Sequence, residues 1–407
     1  MTQKRILIIS DTHYGDLAHL KNFGKSGVPS DENLEVIALS IVDSIDEPVD
    51  FLFVLGDLTS SGSPGEFRDF YRFLSILRRK LSLAESQLYL TYGNHDVDWK
   101  ICAIQSRCPE HNEVYREAAA NVGSFFAPAG DYNYHGPVIG CGVAHLEGID
   151  LISLNSGIEC YDSQSIEHGR LGTKQFDWLK NELSGYLRPH ATKVVILHHH
   201  LFSLPYSRPV HDLSVLEEGA NVLEVLGENG VDIVLHGHRH HPIVHTASSS
   251  GWTKPITFFC AGSFGVSAVH RASGRLPNTF HIATINSNSG DVNLEGNIQT
   301  FELNLSSEWI PLVGKATEYP LNGKHWFGAP DAMQRAEDDI KDIVSSLVAE
   351  LASHESAVLP DYENLTLPLR CIFHAKLNKM IQEEGNESNL EITGDYPRKC
   401  LATKVLK

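Results

Sequence analysis

Residues 88–96 read Leu88-Tyr89-Leu90-Thr91-Tyr92-Gly93-Asn94-His95-Asp96, an apolar run that gives way to three residues of very different chemistry. The run has the length of a strand buried in a sheet. Behind Gly93, which allows the backbone a sharp turn, stand a carboxamide oxygen, an imidazole and a carboxylate. By itself the stretch could also be a polar turn with an Asn cap. The rest of the chain decides between the two readings, because four other apolar runs end in residues of the same kind.

Lys4 to Ile9 ends at Ser10-Asp11-Thr12-His13, and Val49 to Leu55 ends at Gly56-Asp57. Lys193 to Leu197 ends at His198-His199-His200, and Val231 to Leu235 ends at His236-Gly237-His238-Arg239-His240-His241. Between the first three runs lie two helical patterns, Leu34, Ile37, Ala38, Ile41, Ile45 and Phe67, Phe70, Leu74, Leu77, Leu81. Strand and helix alternating at this spacing define an α/β fold built on right-handed crossovers and a largely parallel sheet. In such a sheet the strand ends lie along one edge, where ligands of open α/β sheets bind.

The remaining stretches organise around that unit. Residues 99–136 read as an insert, a rim or lid, and Val138–Val143 with Gly148–Asn155 as an antiparallel pair. Residues 309–330 read as a linker that closes a domain spanning 1–308. Met333, Ala336, Ile340, Ile343, Val344, Leu347 and Leu351 keep helical spacing, so 331–407 is expected to be a mostly helical accessory region.

Composition narrows the function. The chain has 407 residues, 42% of them hydrophobic, and a formal charge of −18, a poor match to an extended nucleic-acid surface. Seven scattered cysteines with no Cys-x-x-Cys pair give no disulfide framework and no zinc knuckle. With no apolar run long enough for a signal peptide or a membrane span, a cytoplasmic protein without membrane contact is expected. The 22 histidines direct attention to where they fall.

Seven donors stand at the five strand ends: Asp11, His13, Asp57, Asn94, His198, His238 and His240. Carboxylate, amide oxygen and imidazole without thiolate suit Mn, Fe, Zn or Co. Seven are too many for one ion with an open position. They suit two divalent or mixed-valence ions that share a carboxylate at roughly 3.5–4 Å separation, which can activate water and neutralise charge on a phosphoryl group.

Asp11-Thr12-His13, Gly56-Asp57, Gly93-Asn94-His95-Asp96, His198-His199 and Gly237-His238-Arg239-His240, in that order, resemble the five blocks of the calcineurin-like metallophosphoesterases. The resemblance covers about residues 4–285 and implies a four-layer αββα sandwich around a dinuclear site. It implies that Asp11, His13, Asp57 and His240 hold one ion, and that Asp57, Asn94, His198 and His238 hold the other, with Asp57 as the bridge. The fourth block departs from the family's frequent His-x-Pro, which leaves His199 as an alternative to His198. His95 is expected to be a catalytic group that protonates the leaving oxygen, with Asp96 orienting its ring. His236 and His241 are expected behind the ligands or at the rim, and Tyr14, Trp99 and His211 in loops bordering the site, where loop aromatics stack on a base or, more often, pack locally.

The segments Gly56-Asp57-Leu58-Thr59 and Gly-Asn-His-Asp look most like the family's cyclic-nucleotide branch. The expected function is a phosphodiesterase acting on a cyclic nucleotide or another small phosphodiester. A nuclease of the same fold, a phosphomonoesterase and a non-catalytic scaffold are the alternatives. A homo-oligomer or a partner protein would engage 331–407.

Overall fold

The computed structural model describes residues 2–15, 31–98, 136–138, 140–157, 168–203, 214–265, 278–287, 295–304, 306–312, 324–328, 356–358, 389–393 and 401–405. Two sheets dominate it. The first contains β1 (Thr2–Ile9), β2 (Phe51–Leu55) and β3 (Leu88–Thr91), which run parallel to one another. The second contains β4 (Gly142–Leu146), β5 (Ile149–Ser153), β6 (Thr192–Ile196), β7 (Ile233–His236), β8 (Ile243–Ala247) and β9 (Ile256–Cys260), in the order β4-β5-β6-β7-β9-β8. Its central strands β5, β6, β7 and β9 are parallel, while β4 and β8 are antiparallel edges. The antiparallel pair expected near residues 138–155 is therefore β4 with β5.

Why the strands read as unbroken apolar runs is plain from their alternation, since each is buried on both faces. Ile6 and Ile8 of β1 and Phe51, Phe53 and Leu55 of β2 meet Val194, Ile196, Ile233, Leu235 and Phe259 in a core between the sheets. Leu7, Ile9, Leu52 and Val54 face the other way. They pack against α1 (Asp31–Asp43) and α2 (Pro64–Lys80) through Leu34, Ile37, Ile41, Phe67, Phe70, Leu74 and Leu77. On the far side of the second sheet, Val195 and Val234 meet α3 (Gly172–Asn181) and α4 (Gly219–Glu228) through Trp178, Leu179, Val222 and Leu226. The four layers are helix, sheet, sheet, helix.

The first sheet continues beyond β1 into β10 (Thr279–Ser287), β11 (Glu295–Leu303), β12 (Trp309–Pro311) and β13 (Lys324–Gly328). Both β12 and β13 pair with β11. This corrects the linker expected over 309–330: its described residues belong to the sheet, because Trp309 is buried and stacks on Phe264 with ring centroids 5.3 Å apart. The insert at 99–136 falls almost wholly outside the described residues, as does the helix expected over 331–354. Where the accessory region is described it forms strands, β14 (Ser356–Val358), β15 (Asn389–Thr393) and β16 (Leu401–Val405), in an antiparallel sheet. Among the described residues no helix is long and apolar enough to cross a membrane.

Candidate metal centre

The five strand ends do converge, but from two sheets and not from one edge of a single sheet. β1, β2 and β3 bring Asp11, His13, Asp57 and Asn94, while β6 and β7 bring His198, His238 and His240 from the stacked second sheet. Backbone bonds lock the first two blocks side by side: the amides of Asp11, His13 and Tyr14 donate to the carbonyls of Gly56, Asp57 and Leu58 at 3.1, 2.9 and 3.0 Å. Between sheets, the amide of His238 donates to Asp11 Oδ1 at 3.0 Å.

The glycines of the motifs answer to these close approaches. Gly93 has φ −106° and ψ −174°, an extended backbone, so the sharp turn expected of it is not its purpose. A side chain there would place Cβ 2.1 Å from Asp57 Oδ1, which no larger residue tolerates. Gly237 is constrained in the same way, by Ser10 Oγ at 2.1 Å and Asp11 Oδ2 at 2.5 Å. The donors themselves carry the unusual backbone. Asp11, His13, Asp57, His238 and His240 are five of the seven non-glycine residues with positive φ among those described. Such conformations are costly for side-chain-bearing residues and persist where surrounding structure enforces them.

Asp57 is the hub. Its Oδ2 lies 3.3 Å from His13 Nε2 and 3.2 Å from His198 Nε2, while its Oδ1 accepts the His95 amide at 2.9 Å. Asp11 Oδ1 lies 3.2 Å from His240 Nε2 and 4.0 Å from His13 Nε2. Two donor triads result, Asp11 with His13 and His240, and Asp57 with His198 and His238. Asn94 Oδ1, both ring nitrogens of His13 and His198 Nε2 are buried without a hydrogen-bond partner. Unpaired polar atoms are expensive to bury, and these belong to the donors a pair of cations would satisfy. The residues present therefore fit a dinuclear centre, with Asp57 between its halves.

Charge within the site follows the same logic. Burial pushes the Asp57 carboxyl up, yet His198, His95 and His13 around it pull harder and hold it well below the usual carboxylate range. Burial works against a charged His198, but Asp57 outweighs it and lifts that imidazole to about 9. His13, His199 and His238 are held neutral, chiefly by burial, so their lone pairs need no deprotonation before they bind a cation.

Tautomers separate His198 from His199. A carbonyl can only accept, so His198 Nδ1 donates to Leu55 O at 2.8 Å, which leaves Nε2, 3.2 Å from Asp57 Oδ2, as the nitrogen whose proton a cation would replace. The Ser156 hydroxyl accepts the His198 and His199 amides at 3.2 and 3.1 Å. Its proton then goes to His199 Nδ1 at 2.8 Å, which leaves the His199 proton on Nε2. Ser156 was not singled out from sequence. The signal was there, because β5 also runs out into polar residues, Asn155 and Ser156, at this edge.

His95 sits at the partly exposed side of the site, its ring edge-on to that of His13 with centroids 4.5 Å apart. It also forms a triad with His13 and Asp57. The expected role of Asp96 is corrected. Its carboxylate accepts from the amides of Leu58, Thr59 and Gly93 at 2.8, 3.0 and 2.9 Å and from the Thr59 hydroxyl at 3.2 Å. It clamps the third block to the second, and the His95 ring is held instead by Nδ1 donating to Ser60 O at 3.0 Å. Tyr14 packs locally, buried against Phe70, while Trp99 and His211 lie outside the described residues. His236 is buried, which excludes the rim and leaves the position behind the ligands.

The sequence matches the family model for calcineurin-like phosphoesterases over residues 4–242, more than half of the chain. The chain belongs to the calcineurin-like phosphoesterase family, and its two-sheet architecture is the family's fold. Among solved structures it is similar to the purple acid phosphatase PPD1 of yellow lupin (Lupinus luteus), at 13% identity and TM-score 0.46, over 73% of this chain and 51% of that one. It is also similar to a putative 5'-nucleotidase from Staphylococcus aureus, at 14% identity and TM-score 0.37, over 78% and 55%. Vps29 of Chaetomium thermophilum is similar at 12% identity and TM-score 0.30, over 80% and 97%. The chain spans about half the length of the first two. No curated protein sequence matches it.

Proposed function

We propose that this protein is a dinuclear metal-dependent phosphodiesterase that hydrolyses a cyclic nucleotide or another small phosphodiester. The observation that carries the hydrolytic reading is the meeting of two donor triads around Asp57, with His95 beside them on the open side. Asp11, His13, Asp57 and His240 would hold one ion, and Asp57, Asn94, His198 and His238 the other. Two ions so held supply Lewis acidity toward a phosphoryl oxygen and lower the pKa of water.

The chain's own residues do the rest. Leu55 O fixes the His198 tautomer, and Asp96 fixes the geometry of the turn that carries Asn94 and His95. Ser60 O holds the Nδ1 proton of His95, so Nε2 is the atom that gives a proton to the leaving oxygen. The diester preference rests on the likeness of the second and third blocks to the cyclic-nucleotide branch. A formal charge of −18 disfavours a long polyanionic substrate.

The test is a panel of cyclic nucleotides, an open small diester, nucleoside monophosphates, and single- and double-stranded DNA, each assayed with Mn²⁺ and with chelator. Small diesters should be turned over fastest, and chelator should stop the reaction. Preference for DNA would make the protein a nuclease, and preference for monoesters a phosphomonoesterase. Failure to bind metal or to hydrolyse any member would make it a scaffold.

A further inference from the structure

Three more side chains with metal-binding chemistry, His200, His236 and Cys260, meet beside the second sheet's half of the centre, the His200 ring 6.2 Å from that of His238. Neighbouring strands of the second sheet set their positions. His236 closes β7 and pairs in register with Cys260, which closes β9. His200 follows β6 and is pinned by its amide donating to Ser214 O at 3.3 Å and its carbonyl accepting from the Leu216 amide at 2.7 Å. Two residues before His236 and Cys260, Val234 and Phe258 belong to the core under α3 and α4, whereas Leu235 and Phe259 belong to the core between the sheets. Alternation therefore puts His236 and Cys260 on the outer face of the second sheet, behind the wall that the inter-sheet core builds.

All three residues are sealed from solvent, at 0%, 1% and 0% exposure. The His200 and His236 rings meet edge to face with centroids 4.5 Å apart. Neither ring nitrogen of His200 has a hydrogen-bond partner, and nor does His236 Nδ1. Buried polar atoms normally find partners, and one ion would take up one ring nitrogen from each of the two imidazoles. One donor atom from each residue already lies within 4.8 Å of the other two. Two imidazoles and a thiol differ in kind from the oxygen and nitrogen donors around Asp57. They suit a borderline-soft tetrahedral ion, for which metal–nitrogen and metal–sulfur bonds run about 2.0–2.3 Å.

We propose that His200, His236 and Cys260 form a third metal site, selective for Zn²⁺ or an ion like it, that ties the ends of β6, β7 and β9 together. Binding forms a sulfur–metal bond and releases one proton to solvent from the Cys260 thiol, which otherwise points at Gly237 O at 3.5 Å. The segments so tied are those that carry His198 and His238, each two residues from a member of the trio. The third ion would act as a strut for the second sheet's half of the centre.

The full-length protein, stripped of metal and reloaded with Co²⁺, tests this by its near-ultraviolet spectrum. Thiolate-to-cobalt charge transfer absorbs there, and none of the donors around Asp57 is a thiolate. The unmutated protein should show the band, Cys260→Ser should lose it, and His200→Gln should weaken it severalfold. Zinc content measured on the same proteins should fall by one ion per chain in either variant. Absence of the band in the unmutated protein overturns the proposal even if the variants fold poorly. A band that persists in Cys260→Ser, or zinc content unchanged in both variants, overturns it as well.

Discussion

Asp57 lies 3.3 Å from His13 and 3.2 Å from His198, between the two halves of the site, and its replacement should therefore cost more than loss of a donor to one half. Losing a carboxylate that serves both ions removes several kcal/mol of charge stabilisation, and each 1.4 kcal/mol is about tenfold in rate. Asp57→Asn is predicted to lower activity by about 10³-fold or more and to lower metal content further than His240→Ala does. Atomic analysis of both variants beside a rate measurement checks this, and retention of full metal content with full rate would refute it. His95 gives a different signature. With His95→Ala and metal content unchanged, an alkyl or nucleoside diester should lose roughly 10²–10⁴ in rate, whereas a nitrophenyl ester, whose leaving group needs little protonation, should lose far less. Equal losses would make His95 a residue that positions substrate, and loss of metal would place it among the ligands, where its triad with His13 and Asp57 also fits it. At this scale the donors were legible because each follows an apolar run directly. The duty of Asp96 was not, because its partners, Leu58 and Thr59, lie 38 and 37 residues away and are mostly backbone amides.

Elements carry the second kind of prediction. On β10, His281 faces its register partner Thr300 on β11, is fully buried, and uses both ring nitrogens. The Gly262 amide donates to Nε2 at 3.1 Å, so Nδ1 must donate to Thr300 Oγ1 at 2.9 Å. Burial pushes this imidazole down to about 3. The unfolded chain binds a proton near pH 6.5 that the folded chain refuses until about pH 3, so stability is fully present above 6.5 and is lost as pH falls through that window. Between pH 6 and 4 the unfolding free energy of His281→Gln should fall less steeply than that of the unmutated protein, by about 1.4 kcal/mol per pH unit. Parallel slopes in denaturant titrations would contradict this. A second element-level test concerns β12, since Trp309 stacks on Phe264 and meets Phe280 edge-on. Trp309→Ala should cost about 3–5 kcal/mol, which a linker residue would not. The strands β1, β2, β3, β6 and β7, helices α1 and α2 and the β4–β5 pair could be read from periodicity alone. Their division into two sheets could not, because a strand buried on both faces looks the same in either sheet, and β12 is too short to show a period.

At the scale of the whole molecule, the two sheets stack so that their strand ends make one site that neither makes alone. The first sheet supplies Asp11, His13, Asp57 and Asn94, and the second supplies His198, His238 and His240, so each proposed ion draws on both. The family blocks named this donor set in order. What they could not convey is the contact between sheets, seen in the His238 amide on Asp11 and in the space Gly93 leaves for Asp57. The central claim is that two ions share Asp57 across this junction. Electron paramagnetic resonance of the Mn²⁺-loaded protein tests it most directly. The unmutated protein should show the spectrum of an exchange-coupled manganese pair, and Asp57→Asn should lose that coupling. Isolated six-line manganese signals alone in the unmutated protein, or a coupled pair that survives in Asp57→Asn, would contradict it.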